Sequence, residues 1–452
     1  MKVVIAGAGK VGRSLTKQLS NEGYDVTLID QKANVLQNCI DRYDIMAVQG
    51  NCATMSVLTK AGIQDADVLV ALTNADEVNL LCCATAKELN KTIHTIARIR
   101  NPEYADQIYK MRDVFGLSMA INPEKQTARE IDRLLKYPGF LKRDTFAKGR
   151  VEIVELRLSH DSVLTNVKLN DLNNIIKCKI LVCVVVRGDE VFVPNGDFEL
   201  KVHDRIFVTA PADNLTILLK NLGILNRKIK HMILCGGGMI SFYLAKLLEK
   251  QRIDVKIIEQ NPARCEELAS MLDETTIIEG DVGNQFTLVN EQIESSDAVV
   301  ALTGLDELNI VISMFSHNIG VPQTITKLSH DEHGSILSGV ALGGIVSPKE
   351  LCCNRIVQYI RALQNQSGAA ITVSSLIDGQ AEATEFIVDS TVRNCGVELK
   401  KLRIRKGILV ACINHDNNIE IANGDSKFVE GDHVIVVSTG KRIVYTMNEI
   451  FE

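Results

Sequence analysis

With 452 residues, 46% of them hydrophobic and 23% charged, the chain has the length of about three domains and the composition of packed globular protein rather than of a disordered tail. Fifty Lys and Arg against 56 Asp and Glu leave a formal charge of -6, which argues against nucleic acid as the main partner, because phosphate binding wants a clearly basic face. Trp is absent and aromatics make up 4%, which argues against base-stacking platforms as well.

The N-terminal run Met1-Lys2-Val3-Val4-Ile5-Ala6-Gly7 has the charge and apolarity of a signal peptide, but it passes straight into a glycine pattern and reads better as a first strand. A helix over 11–21, a strand over 25–29, a strand ending at 47–48, a helix around 57–61 and a strand over 68–72 follow. This alternation predicts a parallel sheet with helices on both faces. Asn122-Pro123 places a cap before Pro at a first helical position, and Tyr137-Pro138-Gly139 stops that helix. Beyond it, 151–159 alternates, 180–193 reads as a hairpin across Arg187-Gly188-Asp189-Glu190, 205–209 is a strand and 214–222 a helix. These make a small α+β domain of about 80 residues. The longest apolar stretches, such as 180–186, are strand-sized and fall short of the roughly 18 residues that cross a bilayer. A cytosolic chain is expected. The 12 Cys include the adjacent pairs Cys82-Cys83 and Cys352-Cys353 and no Cys-x-x-Cys, which favours reduced, buried thiols over a disulfide or metal framework.

The whole pattern then repeats. Residues 67–79 (DVLVALTNADEVN) and 297–309 (DAVVALTGLDELN) are identical at eight of 13 positions at an offset of 230. Val4–Gly9 matches 233–238, and Asn195-Gly196-Asp197 matches Asn423-Gly424-Asp425 at an offset of 228. The chain is two copies of a unit, joined near 224–230, and the expected fold is α/β: two tandem Rossmann-like doubly wound sheets, each followed by a small α+β domain. The expected boundaries are 1–122 and 140–225 in the first copy, and 229–347 and 367–452 in the second. Ser347-Pro348 with Glu350 opens the second connecting helix as a capping box. Leu134 and Leu135 on the first connecting helix, and Ile356 and Ile360 on the second, read either as core or as a seam to another subunit.

Gly7-Ala8-Gly9-Lys10-Val11-Gly12 has a strand before it, a helix after it and an acid, Asp30, at the end of the next strand. Gly7 permits the tight turn, Gly9 lets the backbone approach a pyrophosphate, and Gly12 lets helix and strand pack closely. The free N–H groups and dipole of the helix N-terminus face the anion. Asp30 is placed to accept both ribose hydroxyls and to repel a 2′-phosphate, which favours NAD or an adenosine nucleotide over NADP. A carboxylate exposed in a crevice is expected to matter little to stability, by about 0.5 kcal/mol.

The second loop, Gly236-Gly237-Gly238-Met239-Ile240-Ser241, is a poorer match: Ser241 replaces the third glycine, and Glu259 stands where Asp30 does. Tighter binding of NAD(H) is therefore expected in the first copy. At the carboxyl ends of later strands lie Gly50-Asn51-Cys52 opposite Gly280-Asp281, Thr73-Asn74 opposite Thr303-Gly304, and Arg98 opposite Lys327, a cation suited to phosphate.

Taken together, the duplicated Rossmann unit, the glycine loop with its acid, the Gly50-Asn51 and Gly280-Asp281 steps, the Ala-Leu-Thr…Asp-Glu-x-Asn stretch and the Asn-Gly-Asp turn resemble the cytosolic regulatory subunits of Trk-type potassium uptake systems, built of RCK (KTN) domains. The resemblance covers essentially the whole chain. It implies a peripheral protein at the inner face of the membrane that binds NAD or NADH, and ATP or ADP, and assembles as a tetramer beneath an integral potassium-transporting subunit. It further implies that Gly7–Gly12, Asp30, Thr73-Asn74 and Arg98 hold the nucleotide. Asn51 in place of Asp, with Ser241 and Lys327, departs from the family pattern.

An NAD-dependent oxidoreductase remains the other reading, but it needs an acid or base set against the nicotinamide. The nine His are mostly isolated, and no further domain exists to carry such groups. No catalytic residue is expected. His330-Asp331-Glu332-His333 reads as a solvated segment rather than a metal site, and the basic run 400–406 as a solvated surface.

Overall fold

The computed structural model describes the chain apart from residues 137–139, 161, 223–228, 330–341, 365–369, 378, 379, 417, 441–443 and 445. The sequence-predicted stop at Tyr137-Pro138-Gly139, the segment His330–His333 and most of the joint between the copies lie outside the described residues.

The first sheet is built from β1 (Lys2–Ala6), β2 (Asp25–Asp30), β3 (Met46–Gln49), β4 (Val68–Ala71), β5 (His94–Arg98) and β6 (Met119–Ile121). Between them run α1 (Lys10–Asn21), α2 (Ala33–Ile40), α3 (Met55–Lys60), α4 (Asp76–Leu89) and α5 (Pro102–Met111), and α6 (Pro123–Lys136) follows. All pairings are parallel, in the order β3-β2-β1-β4-β5-β6. A strand covered on both faces needs a continuous apolar run. VVIA in β1 and VLVA in β4 supply it, every residue buried.

The small sheet that follows comprises β7 (Phe140–Phe146), β8 (Val151–Arg157), β9 (Leu181–Arg187), β10 (Glu190–Phe192) and β11 (Arg205–Pro211), with α7 (Leu172–Ile176) and the closing α8 (Ala212–Asn221). Its antiparallel order is β10-β9-β11-β8-β7. The expected hairpin is β9–β10. The edge strand β7 was not expected: its sequence, FLKRDTF, is half polar and carries no alternation.

The second copy repeats this with β12 (His231–Cys235), α9 (Met239–Glu249), β13 (Asp254–Glu259), α10 (Pro262–Met271), β14 (Thr276–Glu279), α11 (Gln285–Asn290), β15 (Ala298–Ala301), α12 (Asp306–Asn318), β16 (Gln323–Lys327), β17 (Gly344–Val346) and α13 (Pro348–Gln364). The strand order, β14-β13-β12-β15-β16-β17, is that of the first sheet. The second small sheet holds β18 (Ala370–Ile377), β19 (Ala381–Ile387), β20 (Ile408–His415), β21 (Asn418–Ile421) and β22 (His433–Thr439) in the order β18-β19-β22-β20-β21, again matching its mate. It closes with a single 3-10 turn, Met447–Ile450, where the first copy has α8.

The chain divides into two compact units that cut across the repeat: Met1–Ala128 with Ser347–Gln364, and Arg129–Val346 with Asn365–Glu452. In the first unit the core of the first sheet is completed by α13 of the second copy. Cys352, Cys353, Ile356, Val357 and Ile360 pack with Val3, Ile5, Leu15 and Leu19. In the second unit the C-terminal half of α6 lies against the second Rossmann sheet, where Gln323 Nε2 donates to the Leu134 carbonyl at 2.9 Å and Gln251 Nε2 to Asp132 Oδ1 at 2.7 Å. The connecting-helix residues are thus core, completed by the other copy's helix. The two small sheets of this unit share one apolar cluster, in which Ile153, Val184 and Phe207 meet Ala383, Cys412 and Val437.

Candidate functional site

Gly7 follows β1 with φ +107°, a conformation that glycine tolerates, and a Cβ there would lie 2.9 Å from the Leu72 carbonyl carbon. A Cβ on Gly12 would come within 1.9 Å of the Gly7 carbonyl oxygen, so α1 can approach the strand only without a side chain at that position. Gly9, extended, forms the N-cap of α1 without a side-chain cap, and a Cβ added there would meet nothing within 4 Å. An uncapped helix N-terminus bordered by open space is the arrangement an anion needs. Lys10 is exposed in the first turn and Val11 half-buried.

Asp30 ends β2 and turns its carboxylate to the loop. Oδ2 accepts the Ala8 N–H at 2.7 Å, and Oδ1 accepts the Lys32 N–H at 2.9 Å. A carboxylate has about four acceptor sites, so ribose hydroxyls can still be received beside these two bonds. Asp30 therefore fastens the loop in addition to facing the crevice, a duty that sequence reasoning did not assign to it.

Asn51 spends its Oδ1 on the Ala53 N–H at 3.0 Å and shapes its own turn. Cys52 is buried beneath the crevice, and a hydrogen bond with Cys82 lowers its thiol pKa from the ordinary value.

After β4, Thr73 N–H and Oγ1 both donate to Asn79 Oδ1, at 2.8 and 2.7 Å, and Asn79 Nδ2 donates to the Arg98 carbonyl at 2.9 Å. The Arg98 guanidinium is buried and donates from Nη2 to the Thr73 carbonyl at 2.6 Å and to Asn74 Oδ1 at 3.1 Å. Desolvation lowers its pKa, with repulsion from Arg100 adding to the effect. Glu124, half-buried nearby, is shifted up by burial against the opposing pull of Arg98 and Arg100. Thr73, Asn74 and Arg98 are thus brought together, with Arg98 behind the loop. Asp76 fixes the next turn: its Oδ2 accepts the Arg100 and Asn101 N–H groups at 2.7 and 2.8 Å. Asp76 and Asn79, unchanged as Asp306 and Asn309 in the second copy, belong to the repeated Asp-Glu-x-Asn stretch, but the sequence assigned them no role in the site.

The second loop has the same frame. Gly236 takes φ +107°, Glu259 Oε2 accepts the Gly237 N–H at 2.7 Å and Oε1 the Asn261 N–H at 2.8 Å. Gly238 borders open space, as Gly9 does. Ser241 is fully buried and its hydroxyl donates to the Gly236 carbonyl, so the third position is bridged by a hydrogen bond instead of by contact. Met239 and Ile240 occupy the first turn of α9. Asp281 Oδ1 accepts the Gly283 N–H at 2.8 Å. Thr303 and Asn309 repeat the Thr73–Asn79 bonds at 2.8 and 2.7 Å, and Lys327 Nζ donates to the Leu302 carbonyl at 3.3 Å. In the basic run 400–406, Lys400 pairs with Asp425 at 2.5 Å and Lys401 with Glu398 at 2.9 Å.

The TrkA-N domain family matches residues 3–123 and again 232–348, and the TrkA-C domain family matches 153–223. Among curated relatives, the Trk system potassium uptake protein TrkA homolog 1 of Methanosarcina mazei is 32% identical over 449 residues, covering 97% of each chain. The Trk system potassium uptake protein TrkA of Vibrio alginolyticus is 30% identical over 459 residues, covering 100% of this chain and 99% of its own. Among solved structures, the GsuK channel bound to NAD superposes with a TM-score of 0.61 at 14% identity, over 97% of this chain and 77% of that one, a likeness of fold. With both Rossmann units matched and relatives aligned from end to end, the chain belongs to the TrkA family of Trk potassium uptake proteins.

Proposed function

We propose that the chain is a regulatory, non-enzymatic subunit of a potassium uptake system that binds NAD(H) in the first Rossmann crevice, takes adenine nucleotides such as ATP or ADP as further ligands, and gates an integral membrane potassium transporter. The observation that carries the reading is the first glycine loop: an uncapped α1 N-terminus, open space at Gly9, and Asp30 beside the loop at 2.7 Å from the Ala8 nitrogen. The names of the full-length relatives support the transport role, and the NAD-bound GsuK channel supports a dinucleotide on this fold.

In the first copy, Gly7, Ala8, Gly9, Lys10, Val11 and Gly12 hold the pyrophosphate, Asp30 the ribose, and Asn51, Cys52, Thr73, Asn74 and Arg98 the remaining wall. Gly236, Gly237, Gly238, Met239, Ile240, Ser241, Glu259, Asp281, Thr303 and Lys327 form the second site. On this reading the subunit acts peripherally, on the cytoplasmic face, as a tetramer beneath its partner; no helix among the described residues is long and apolar enough to cross a membrane.

Regulation operates by population shift: a nucleotide that binds one arrangement of the subunits better than another favours that arrangement. Inside the first unit, α1 carries the loop at one end and packs along α13, with Cys353 Sγ 3.7 Å from the Val11 carbonyl oxygen, so a movement of the loop is felt by α13. The test is potassium flux into vesicles holding the membrane subunit and this chain. Flux that responds to NADH or ATP is expected; flux indifferent to every nucleotide at saturating concentration overturns the reading.

A further inference from the structure

The two glycine loops differ in where their positive charge comes from. In the first copy it stands on the helix that follows the loop: Lys10 and Arg13 are both exposed in the first turns of α1. At the corresponding positions α9 carries Met239 and Phe242, so neither cation is present. A cation nevertheless reaches the second loop from a different element. Arg264, in the first turn of α10, donates from Nε to the Gly237 carbonyl at 2.8 Å, and its Nη2 lies 3.6 Å from Met239 Sδ. Its counterpart in α2 is Val35, so the feature belongs to the second copy alone.

We propose that Arg264 is the phosphate-binding cation of the second nucleotide site, replacing the charge that Lys10 and Arg13 provide in the first. The inference rests on reading the second loop as a nucleotide site. Gly237 is held at both ends of its residue, its N–H by Glu259 at 2.7 Å and its carbonyl by Arg264. The guanidinium therefore has a fixed anchor at Nε while its two Nη groups face weak partners. A thioether is a poor acceptor. Glu267, 2.7 Å from Nη1, is 56% exposed, and a pair at the surface is worth little. A phosphate entering over Gly238, where nothing lies within 4 Å of an added Cβ, meets a planar fork of donors suited to its oxygens. The ligand class is an adenine nucleotide bound through its phosphates, with Glu259 left for the ribose.

The test is calorimetry on the full chain with ADP and with adenosine, comparing the wild type with Arg264→Gln and Arg264→Lys. Gln keeps a donor for the Gly237 carbonyl but carries no charge, so a loop collapse and a lost phosphate contact are separated. Two ADP-binding events per chain are expected in the wild type. Arg264→Gln should weaken one of them by about 10- to 100-fold and leave the other unchanged, as loss of a hydrogen bond to a charged group predicts. Arg264→Lys should weaken it less, adenosine affinity should hold, and the ligand-free melting temperature should not move. Unchanged ADP affinity in Arg264→Gln overturns the proposal. Equal loss for ADP and adenosine makes Arg264 a positioning residue for the loop and overturns it too. A wild type that binds ADP once, at a site abolished by Asp30→Ala, shows instead that the second loop is empty, and the reading beneath the proposal fails first.

Discussion

Arg361, near the end of α13, grips Glu22, the residue that caps α1, fork to fork: Nε lies 3.1 Å from Oε2 and Nη2 2.5 Å from Oε1. The partners are 339 residues apart in sequence, and their side chains are only 9% and 7% exposed. Removing one partner of such a pair leaves the other charge buried and uncompensated, at a cost of about 3–5 kcal/mol. Arg361→Met and Glu22→Met alone should each lower the thermal midpoint of the chain markedly. The double variant Glu22→Met/Arg361→Met should recover most of the loss, because no buried charge is left behind. Differential scanning calorimetry decides it; a single variant that melts with the wild type shows that the pair holds nothing together.

The same helix makes the halves of the duplication unequal to independent life. Residues 1–228 alone lack α13, and with it Cys352, Cys353, Ile356, Val357 and Ile360, the layer that covers the α1 face of the first core. Each of the Ile and Val side chains among them is worth roughly 1.5–3 kcal/mol when fully buried. The fragment should self-associate, and a peptide spanning 347–364 should reduce that association when added in trans without abolishing it, because the apolar face of the first small sheet stays uncovered. Light scattering reads both states; a monodisperse monomer without the peptide overturns the expectation.

Asp30 serves loop and ligand together, so its removal should be felt twice. Asp30→Ala deprives the Ala8 and Lys32 N–H groups of a charged acceptor. The stability loss should reach about 1.5–3 kcal/mol rather than the few tenths expected of a crevice carboxylate. Affinity for NADH should fall about 10- to 150-fold, and affinity for NADPH should fall less, since repulsion of a 2′-phosphate goes with the carboxylate. Melting without ligand and titration with both dinucleotides separate the two effects. Unchanged NADH affinity removes Asp30 from the site.

The architecture was legible because the repeat and the parallel-strand runs are strong local signals. VLVA in β4 is buried on both faces and can hardly be anything else, and the AVVA of β15 confirms it one copy later. What escaped is what depends on distant partners. FLKRDTF in β7 is a strand because β8 pairs with it, and nothing in its own pattern requires that. Ile356 and Ile360 look identical whether they cover their own sheet or the other copy's. Arg264 gave no sign of lying over a glycine loop 27 residues away, because the approach is made by the fold of β13 and α10. Asp76 and Asn79, by contrast, were available: two polar residues of the repeated Asp-Glu-x-Asn stretch that stay fixed at 306 and 309 are held by something, here the turns after β4 and β5.

The two small domains hold matching positions with different chemistry: arginine–carboxylate pairs in the first, histidine–carboxylate pairs in the second. In the first, Arg205 on β11 pairs with Glu155 on β8 at 2.5 Å, and Arg187 on β9 pairs with Asp204 through Nε–Oδ1 at 2.9 Å and Nη2–Oδ2 at 2.8 Å. In the second, His433 on β22 takes the place of Arg205, with Nδ1 2.6 Å from Glu385 Oε1, and His415 on β20 takes the place of Arg187, with Nδ1 2.8 Å from Asp432 Oδ1. Glu420 Oε2 adds a second carboxylate 3.5 Å from His415 Nε2. All four paired carboxylates are buried: Glu155, Asp204, Glu385 and Asp432. A guanidinium presents a fork of donors to a carboxylate, whereas an imidazole reaches it through a single nitrogen. The second domain therefore holds its buried carboxylates through less elaborate partners, and each histidine still supplies the side-chain contact. His433→Leu and His415→Leu should each destabilise the second small domain by about 1–3 kcal/mol, because a buried carboxylate loses its side-chain partner, and should leave the first unaltered. His433→Arg with His415→Arg should copy the first domain and keep the fold. Hydrogen exchange of the β19–β22 amides, against β8–β11 as the internal reference, reads the two domains separately. Protection of β19–β22 that the leucine variants leave unchanged, or that falls equally in both sheets, removes the histidines from the explanation.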